Sequence, residues 1–206
     1  YDYWFVQFDF PDENGKPYKS SNGKMIWNEE LKREIPVGWK VQDLSKAIEI
    51  KYGKDHKKLH FGLIPVFGSG GIMRYADKAI YENESILIPR KGTLSNLFYL
   101  NKPFWSVDTM FFSKMKIAHI GKYLFYFLQS LNLASLNAGT AVPSLTAEIL
   151  NQLKIVTPSS SILKRFETIL ASPFEMKEQV TKENQQLANL RDWLLPMLMN
   201  GQVRVK

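Results

Sequence analysis

The sequence predicts an α+β fold, a β-rich globule followed by a long C-terminal coiled-coil-type helix, and three observations carry that prediction. Short β-like runs broken by glycine and proline fill the stretch 39–112. A heptad stripe of apolar residues then runs through the last third of the chain, at Val180, Leu187 and Leu194 with Leu190 and Met197 offset by three. Finally, 45% hydrophobic and 13% aromatic residues are enough to bury a core and exclude a disordered chain.

Residues 1–35 form an irregular arm. Pro11, Asp12, Asn14, Gly15 and Pro17 are turn formers, and Ser20-Ser21-Asn22-Gly23 repeats the signal. Trp4, Phe5, Phe8 and Phe10 are expected to pin this arm to something larger. Asn28 is placed to cap one or two helical turns over 28–34, ending before Ile35-Pro36.

The next unit, 36–158, holds the strands. Leu63-Ile64-Pro65-Val66-Phe67 leads into the turn Gly68-Ser69-Gly70-Gly71, and Ser85-Ile86-Leu87-Ile88 leads into Pro89-Arg90-Lys91-Gly92-Thr93. Leu97-Phe98-Tyr99-Leu100 and Thr109-Met110-Phe111-Phe112 are two further strands, and Leu153-Lys154-Ile155-Val156 is the last. Between them, 122–135 reads as a buried amphipathic helix closed by a loop over 137–143.

The third unit, 159–206, is helical. Ile162, Leu163, Phe166, Ile169 and Leu170 recur at helical spacing over 161–171. Ser172-Pro173-Phe174-Glu175 is a helix-start signature: a cap, a proline in the first turn and a glutamate closing a capping box. A second helix is therefore predicted from Pro173 to Asn200, about 40 Å long, with Gly201 as its stop. Glu183 interrupts the offset row once. A helix of that length carrying such a seam requires a partner helix.

Composition narrows the function classes. The net charge of +7 is concentrated in 41–122, where 13 basic side chains face 7 acidic ones, and such a surface attracts a polyanion such as DNA. With no cysteine, the chain has neither disulfides nor cysteine-based zinc sites and suits a reducing cytoplasm. His56, His60 and His119 are too sparsely spaced for a metal site. The most apolar stretch, 123–136, is interrupted by Gln129, Ser130 and Asn132, short of the roughly 20 residues a membrane span needs. The opening Tyr1-Asp2-Tyr3-Trp4-Phe5 has no basic signal-peptide region and no initiator methionine, so a fragment of a longer chain is expected.

Catalytic motifs are missing. No Gly-x-Gly-x-x-Gly follows a strand, and no Gly-Lys-Ser/Thr follows the turn at Gly68. Asp12 with Glu30-Leu31-Lys32 mimics the spacing of a metal-dependent nuclease, but Asp12 lies among turn residues and Glu30 in a short helical run, not on adjacent strand ends. Ser69 and Ser95 lack a nearby histidine or elbow motif.

Binding chemistry is better represented. Lys51, Lys54, His56, Lys57 and Lys58 form a basic run around Tyr52-Gly53 that suits phosphates and suits a solvated loop equally. Arg74 follows the glycine turn, and Arg90 and Lys91 leave a strand directly. Arginine can pair bidentately with guanine, and an asparagine such as Asn96 with adenine. Ser69, Thr93 and Thr140 are further hydroxyl candidates. The expected DNA-contacting set is thus Arg74, Arg90 and Lys91 first, then Lys54, His56, Lys57 and Lys58, with Ser69, Thr93, Asn96 and Thr140 beside them.

Taken in order, these residues resemble one family, the specificity subunits of type I restriction–modification enzymes. Glu183-Asn184, Leu187, Leu190-Arg191-Asp192, Leu194-Leu195-Pro196, Leu198-Met199-Asn200-Gly201 and Val203-Arg204-Val205 look like the family's conserved helix and its exit. The opening Tyr1-Asp2-Tyr3-Trp4-Phe5 through Pro11 is similar to the segment that follows such a helix, and Ile35-Pro36-Val37-Gly38-Trp39 to the start of a target-recognition domain. Ile64 to Gly71, Ile88 to Thr93 and the 137–143 loop match positions inside that domain.

The resemblance implies a non-catalytic subunit without a cofactor of its own, in which 36–158 reads half of a bipartite duplex DNA site. It implies that the helix of 159–206 spaces the reading heads and docks the adenine-methylating (M) subunit, which binds S-adenosylmethionine. It also implies a second recognition half, in an intact subunit or a homodimer, and recruitment of an ATP-driven restriction (R) subunit by the assembly. Two other classes remain open: a protein-assembly adaptor whose charge is incidental, and the recognition portion of a fused restriction–methylation enzyme.

Overall fold

The computed structural model describes residues 1–136 and 144–202. The chain divides into two compact units, Tyr1–Arg165 and Phe166–Lys206. The fold is α+β, with eleven strands named among the described residues and a long C-terminal helix.

Within the first unit, the arm begins with a wide helical turn, Asp2–Val6, and is held by aromatic packing. Trp39 is its anchor: the rings of Phe5, Phe8 and Phe10 lie 6.0, 5.6 and 4.9 Å from it. The expected helix at 28–34 is instead a hairpin, β1 (Met25–Asn28) paired antiparallel with β2 (Arg33–Pro36). Asn28 does cap, accepting the N–H groups of Glu30 and Leu31, but those bonds close a turn in which Lys32 takes φ 49°. An asparagine side chain closes a turn or caps a helix by the same local bond, and here cross-strand pairing decides between them.

Next come β3 (Lys40–Asp43), a single turn α1 (Leu44–Ala47) and β4 (Ile48–Tyr52). β5 (Ile64–Gly68) and β6 (Gly71–Ala76) form a hairpin across the glycine turn, and β9 (Trp105–Ser106) adds to β5 in parallel. β7 (Ser85–Pro89), β8 (Phe98–Leu100) and β10 (Met110–Met115) join β4 in an antiparallel sheet ordered β4-β10-β7-β8. β11 (Lys154–Thr157) closes the unit by pairing with β3.

All five residues of β7 are buried, as a central strand covered on both faces requires. Leu87 faces a cluster with Val66, Phe67, Leu100, Phe104, Met110 and Phe112, through which the two larger sheets pack. The alternate residues Ile86 and Ile88 point to the other face. That face carries α2 (Gly121–Ser130), with Tyr123, Leu124, Phe125 and Leu128 buried. The expected helix over 122–135 therefore ends at Ser130 and gives way to a 3-10 turn, Leu133–Leu136.

Two buried serines also fit. The Ser113 hydroxyl accepts the Ile86 N–H at 2.8 Å while the Ser85 hydroxyl accepts the Ser113 N–H at 3.1 Å, just past the last β7–β10 backbone pair at Leu87. Tyr123 donates to the Val156 carbonyl, and burial pushes its hydroxyl well above the usual tyrosine range. The short α3 (Ala147–Asn151) is capped by Thr146, whose hydroxyl accepts the Ile149 N–H.

The C-terminal helix differs from expectation at its start. One helix, α4, runs unbroken from Ser160 to Met199, about 60 Å at 1.5 Å per residue. Pro173 lies inside it rather than at a helix start. The Ser172–Glu175 signature is local, and although an interior proline removes one N–H bond and crowds the carbonyl four residues back, α4 continues through it. Gly201 ends the helix with φ 69°, the left-handed position that favours glycine. Among the described residues, no helix is long and apolar enough to cross a membrane.

Candidate nucleic-acid interface

Strand register gathers one set of candidates at one end of the first unit. Phe111 pairs with Tyr52 and Met110 with Pro89, so β4 and β7 end where β10 begins. In the adjoining sheet Phe67 pairs with Ser106, and Val107 N donates to the Phe67 carbonyl at 3.0 Å, so the Gly68 turn opens at the same end.

The segment 106–110 acts as the hub. Its carbonyls accept Lys54 N at Ser106 (2.8 Å), Arg90 N at Thr109 (2.8 Å), Lys91 N at Thr109 (3.2 Å) and Gly53 N at Met110 (3.0 Å). Lys54 is further fixed by Trp105, whose indole N–H donates to the Lys54 carbonyl at 3.0 Å. Arg90 donates one guanidinium N–H to the Asp108 carbonyl at 3.0 Å and lies 5.5 Å from the Tyr52 ring centre. A guanidinium carries five N–H donors, so most of those on Arg90 are left for a ligand.

A second layer positions the turns. Asn96 donates from Nδ2 to the Ser69 carbonyl at 2.8 Å, tying the 92–96 loop that carries Thr93 to the β5–β6 turn. Gly92, at φ 86°, passes so close that an added Cβ would sit 3.0 Å from the Ser69 hydroxyl. Beyond 137–143 the chain returns here as well, with Ser144 bridged to Lys91 and Leu145 N donating to the Arg90 carbonyl at 2.9 Å.

This end therefore presents Lys54, Arg90 and Lys91 around Ser69, Thr93 and Asn96, with Asp108 as the acidic neighbour. Lys54 and Lys91 are exposed, and among the described residues neither ammonium has an ion-pair partner. Cations held at fixed strand ends with their charge uncompensated are suited to phosphate oxygens.

The remaining candidates are not among the residues bonded to that hub. Lys57 and Lys58 sit on the β4–β5 connection. Asp55 accepts the Lys57 backbone N–H at 3.1 Å, and this bond holds its carboxyl below the usual range. His56 is half-buried with an unpartnered Nδ1. Arg74 uses one guanidinium nitrogen, donating to the Leu59 carbonyl at 2.8 Å and reaching the His60 carbonyl at 3.5 Å. Thr140 and the 137–143 loop lie outside the described residues.

Residue type and spacing do not single out Tyr52 or Trp105. Tyr52 is visible inside the basic run, whereas only a parallel β5–β9 contact distant in sequence reveals Trp105. Among the described residues no three acidic or histidine side chains cluster to hold a metal ion.

In α4, the seam residues are open. Val180, Leu187 and Leu190 are exposed and Leu194 and Met197 half-buried. Because the helix continues through Pro173, the row of Glu183, Leu190 and Met197 extends back to the exposed Met176 and Ile169.

Comparison with known proteins gives a consistent result. The model of the family described as the type I restriction modification DNA specificity domain matches residues 36–187. The type I restriction enzyme MjaIX specificity subunit of Methanocaldococcus jannaschii is 24% identical over 229 residues, covering 98% of this chain and 51% of the relative. The EcoprrI specificity subunit of Escherichia coli is 28% identical over 160 residues, covering 70% of this chain and 40% of its own length. Among solved structures, the S subunit of a type I restriction-modification system from M. genitalium superposes with TM-score 0.63 at 18% identity, over 78% of this chain and 46% of that one. The chain thus spans about half the length of the relatives it matches.

Proposed function

The chain belongs to the type I restriction modification DNA specificity family, and from that premise we propose that it reads one half of a bipartite duplex DNA site and catalyses nothing itself. In this reading 36–158 is the recognition domain. The helix of 159–206 is a spacer that docks the methyltransferase subunit and a second recognition half.

One observation carries the DNA-contact assignment: Lys54, Arg90 and Lys91 converge at one end on backbone fixed by the 106–110 hub. Backbone anchoring matters because cations rooted on fixed backbone hold a duplex in register, while base contacts then supply discrimination. Lys54 and Lys91 take the phosphate-contacting role. Arg90, with donors to spare beside the Tyr52 ring, is the base-contacting candidate. Ser69 and Thr93 supply hydroxyls, and Asn96 first serves to hold the Ser69 turn.

The lysine assignment has a direct test. Lys54→Ala with Lys91→Ala should weaken binding to duplex DNA at low salt. The dependence of log K on log salt should flatten by about 0.9 for each phosphate that is no longer neutralised. Fluorescence anisotropy across a salt series reads both quantities, and a variant with the parent's affinity and slope would remove these lysines from the interface.

A further inference from the structure

A second feature of the first unit is unexplained by the cationic end. Phe61 and Leu63 are 85% and 90% exposed, in the connection between β4 and β5. The loop that carries them is tied down from several sides. Arg74 donates to the Leu59 carbonyl at 2.8 Å, His60 N donates to the Asp77 carboxylate at 3.0 Å, and Asp77 N returns to the His60 carbonyl at 3.1 Å. Gly62 passes so close to β6 that an added Cβ would lie 2.3 Å from the Ala76 carbonyl oxygen. Leu59 is packed against the core below. Two large apolar side chains are thus presented to water by a backbone with little freedom to fold them away.

The charge around them is net positive, three lysines against two aspartates. Lys57, Lys58 and Lys78 are exposed and, among the described residues, without ion-pair partners, whereas Asp55 and Asp77 are turned to backbone N–H groups at 57 and 60. Apolar side chains framed by unpaired cations match a polyanion with an apolar interior better than they match a protein face. Stacked bases between phosphate strands have that character. Geometry agrees, since Ile64 at the loop's exit and Gly68 at the cationic end are separated by about 13 Å of strand, four residues at 3.3 Å each. That length corresponds to about four base pairs at 3.4 Å.

We propose that the 59–63 segment is an apolar wedge, in which Phe61, seconded by Leu63, enters a groove of the duplex gripped by Lys54, Arg90 and Lys91 and partly unstacks a base step. Such wedges kink DNA and gain contact surface along the bent duplex. This inference rests on the DNA-reading function proposed above. Arg74 then acts as a positioning residue, through its bond to the loop.

The test compares the full chain with Phe61→Ala and with the pair Phe61→Ala, Leu63→Ala on a short duplex labelled at both ends. Both positions are exposed, so thermal melting should match the parent and confirm that the variants fold. The pair should lose about tenfold in affinity, keep the parent's salt slope, and lengthen the end-to-end distance seen by energy transfer. Parent-like affinity and distance in a variant would overturn the wedge while leaving DNA reading in place. Failure of the parent itself to bind duplex DNA at low salt would overturn both. Variants that bind DNA normally but lose the methyltransferase subunit would assign the patch to protein docking and overturn the wedge.

Discussion

Among the described glycines, Gly53→Ala is expected to be the most damaging methyl addition, costing about 4 kcal/mol or more in unfolding free energy. A Cβ on Gly53 would sit 1.9 Å from the Val107 carbonyl oxygen and 2.6 Å from that of Ser106. Both atoms are backbone, in the segment that also receives Lys54, Arg90 and Lys91. Relief requires β4 and the 106–110 hub to separate, which breaks the bonds placing the proposed phosphate contacts as well as the core beneath them. Gly70→Ala is the matched control, since its Cβ would meet nothing within 4 Å, and should stay within about 0.5 kcal/mol of the parent. Chemical denaturation measures both. Equal midpoints for the two variants would mean that the close approach at Gly53 does not constrain the fold.

The second large effect lies in assembly. Leu187→Glu with Leu190→Glu should leave folding of the chain nearly untouched, because both side chains are already exposed, at 62% and 48%, and glutamate is a good helix former. Binding of a partner helix should nevertheless fall by about a thousandfold. Burying two leucines is worth about 4 kcal/mol together, and each 1.4 kcal/mol is tenfold in affinity. Co-purification with the methyltransferase subunit, and sedimentation of the chain alone, read the outcome. Unchanged assembly would show that the stripe from Ile169 to Met197 is not the docking face.

How far the sequence reveals this protein depends on the range of the interaction involved. Strands β5, β7, β8, β10 and β11 are legible because apolar runs and turn residues are local signals. The β1–β2 hairpin is not, since Asn28 offers the same side-chain bond to a turn as to a helix, and Met25 to Pro36 pairing settles it. Ser172-Pro173 misleads for a related reason, as a start signature has no force where the helix is already propagating. The seam is legible because its seven-residue period is written in the chain.

The candidate site divides in the same way. Lys54, Arg90, Lys91 and Ser69 follow strand ends or occupy a turn, and antiparallel register brings such positions to one end of a sheet. Residue type alone could not reveal that Arg74 is bonded to Leu59 and His60, or that Asn96 holds Ser69. Nor could it show that Phe61 and Leu63 stay outside the core.

Selection from a random duplex library by the full chain, alone and with the proposed methyltransferase partner, tests the central claim most directly. Half-site reading predicts enrichment of one short contiguous sequence, strengthened by the partner and lost on Arg90→Ala. Retention of DNA without sequence preference in either condition, or no retention of DNA at low salt, would contradict it.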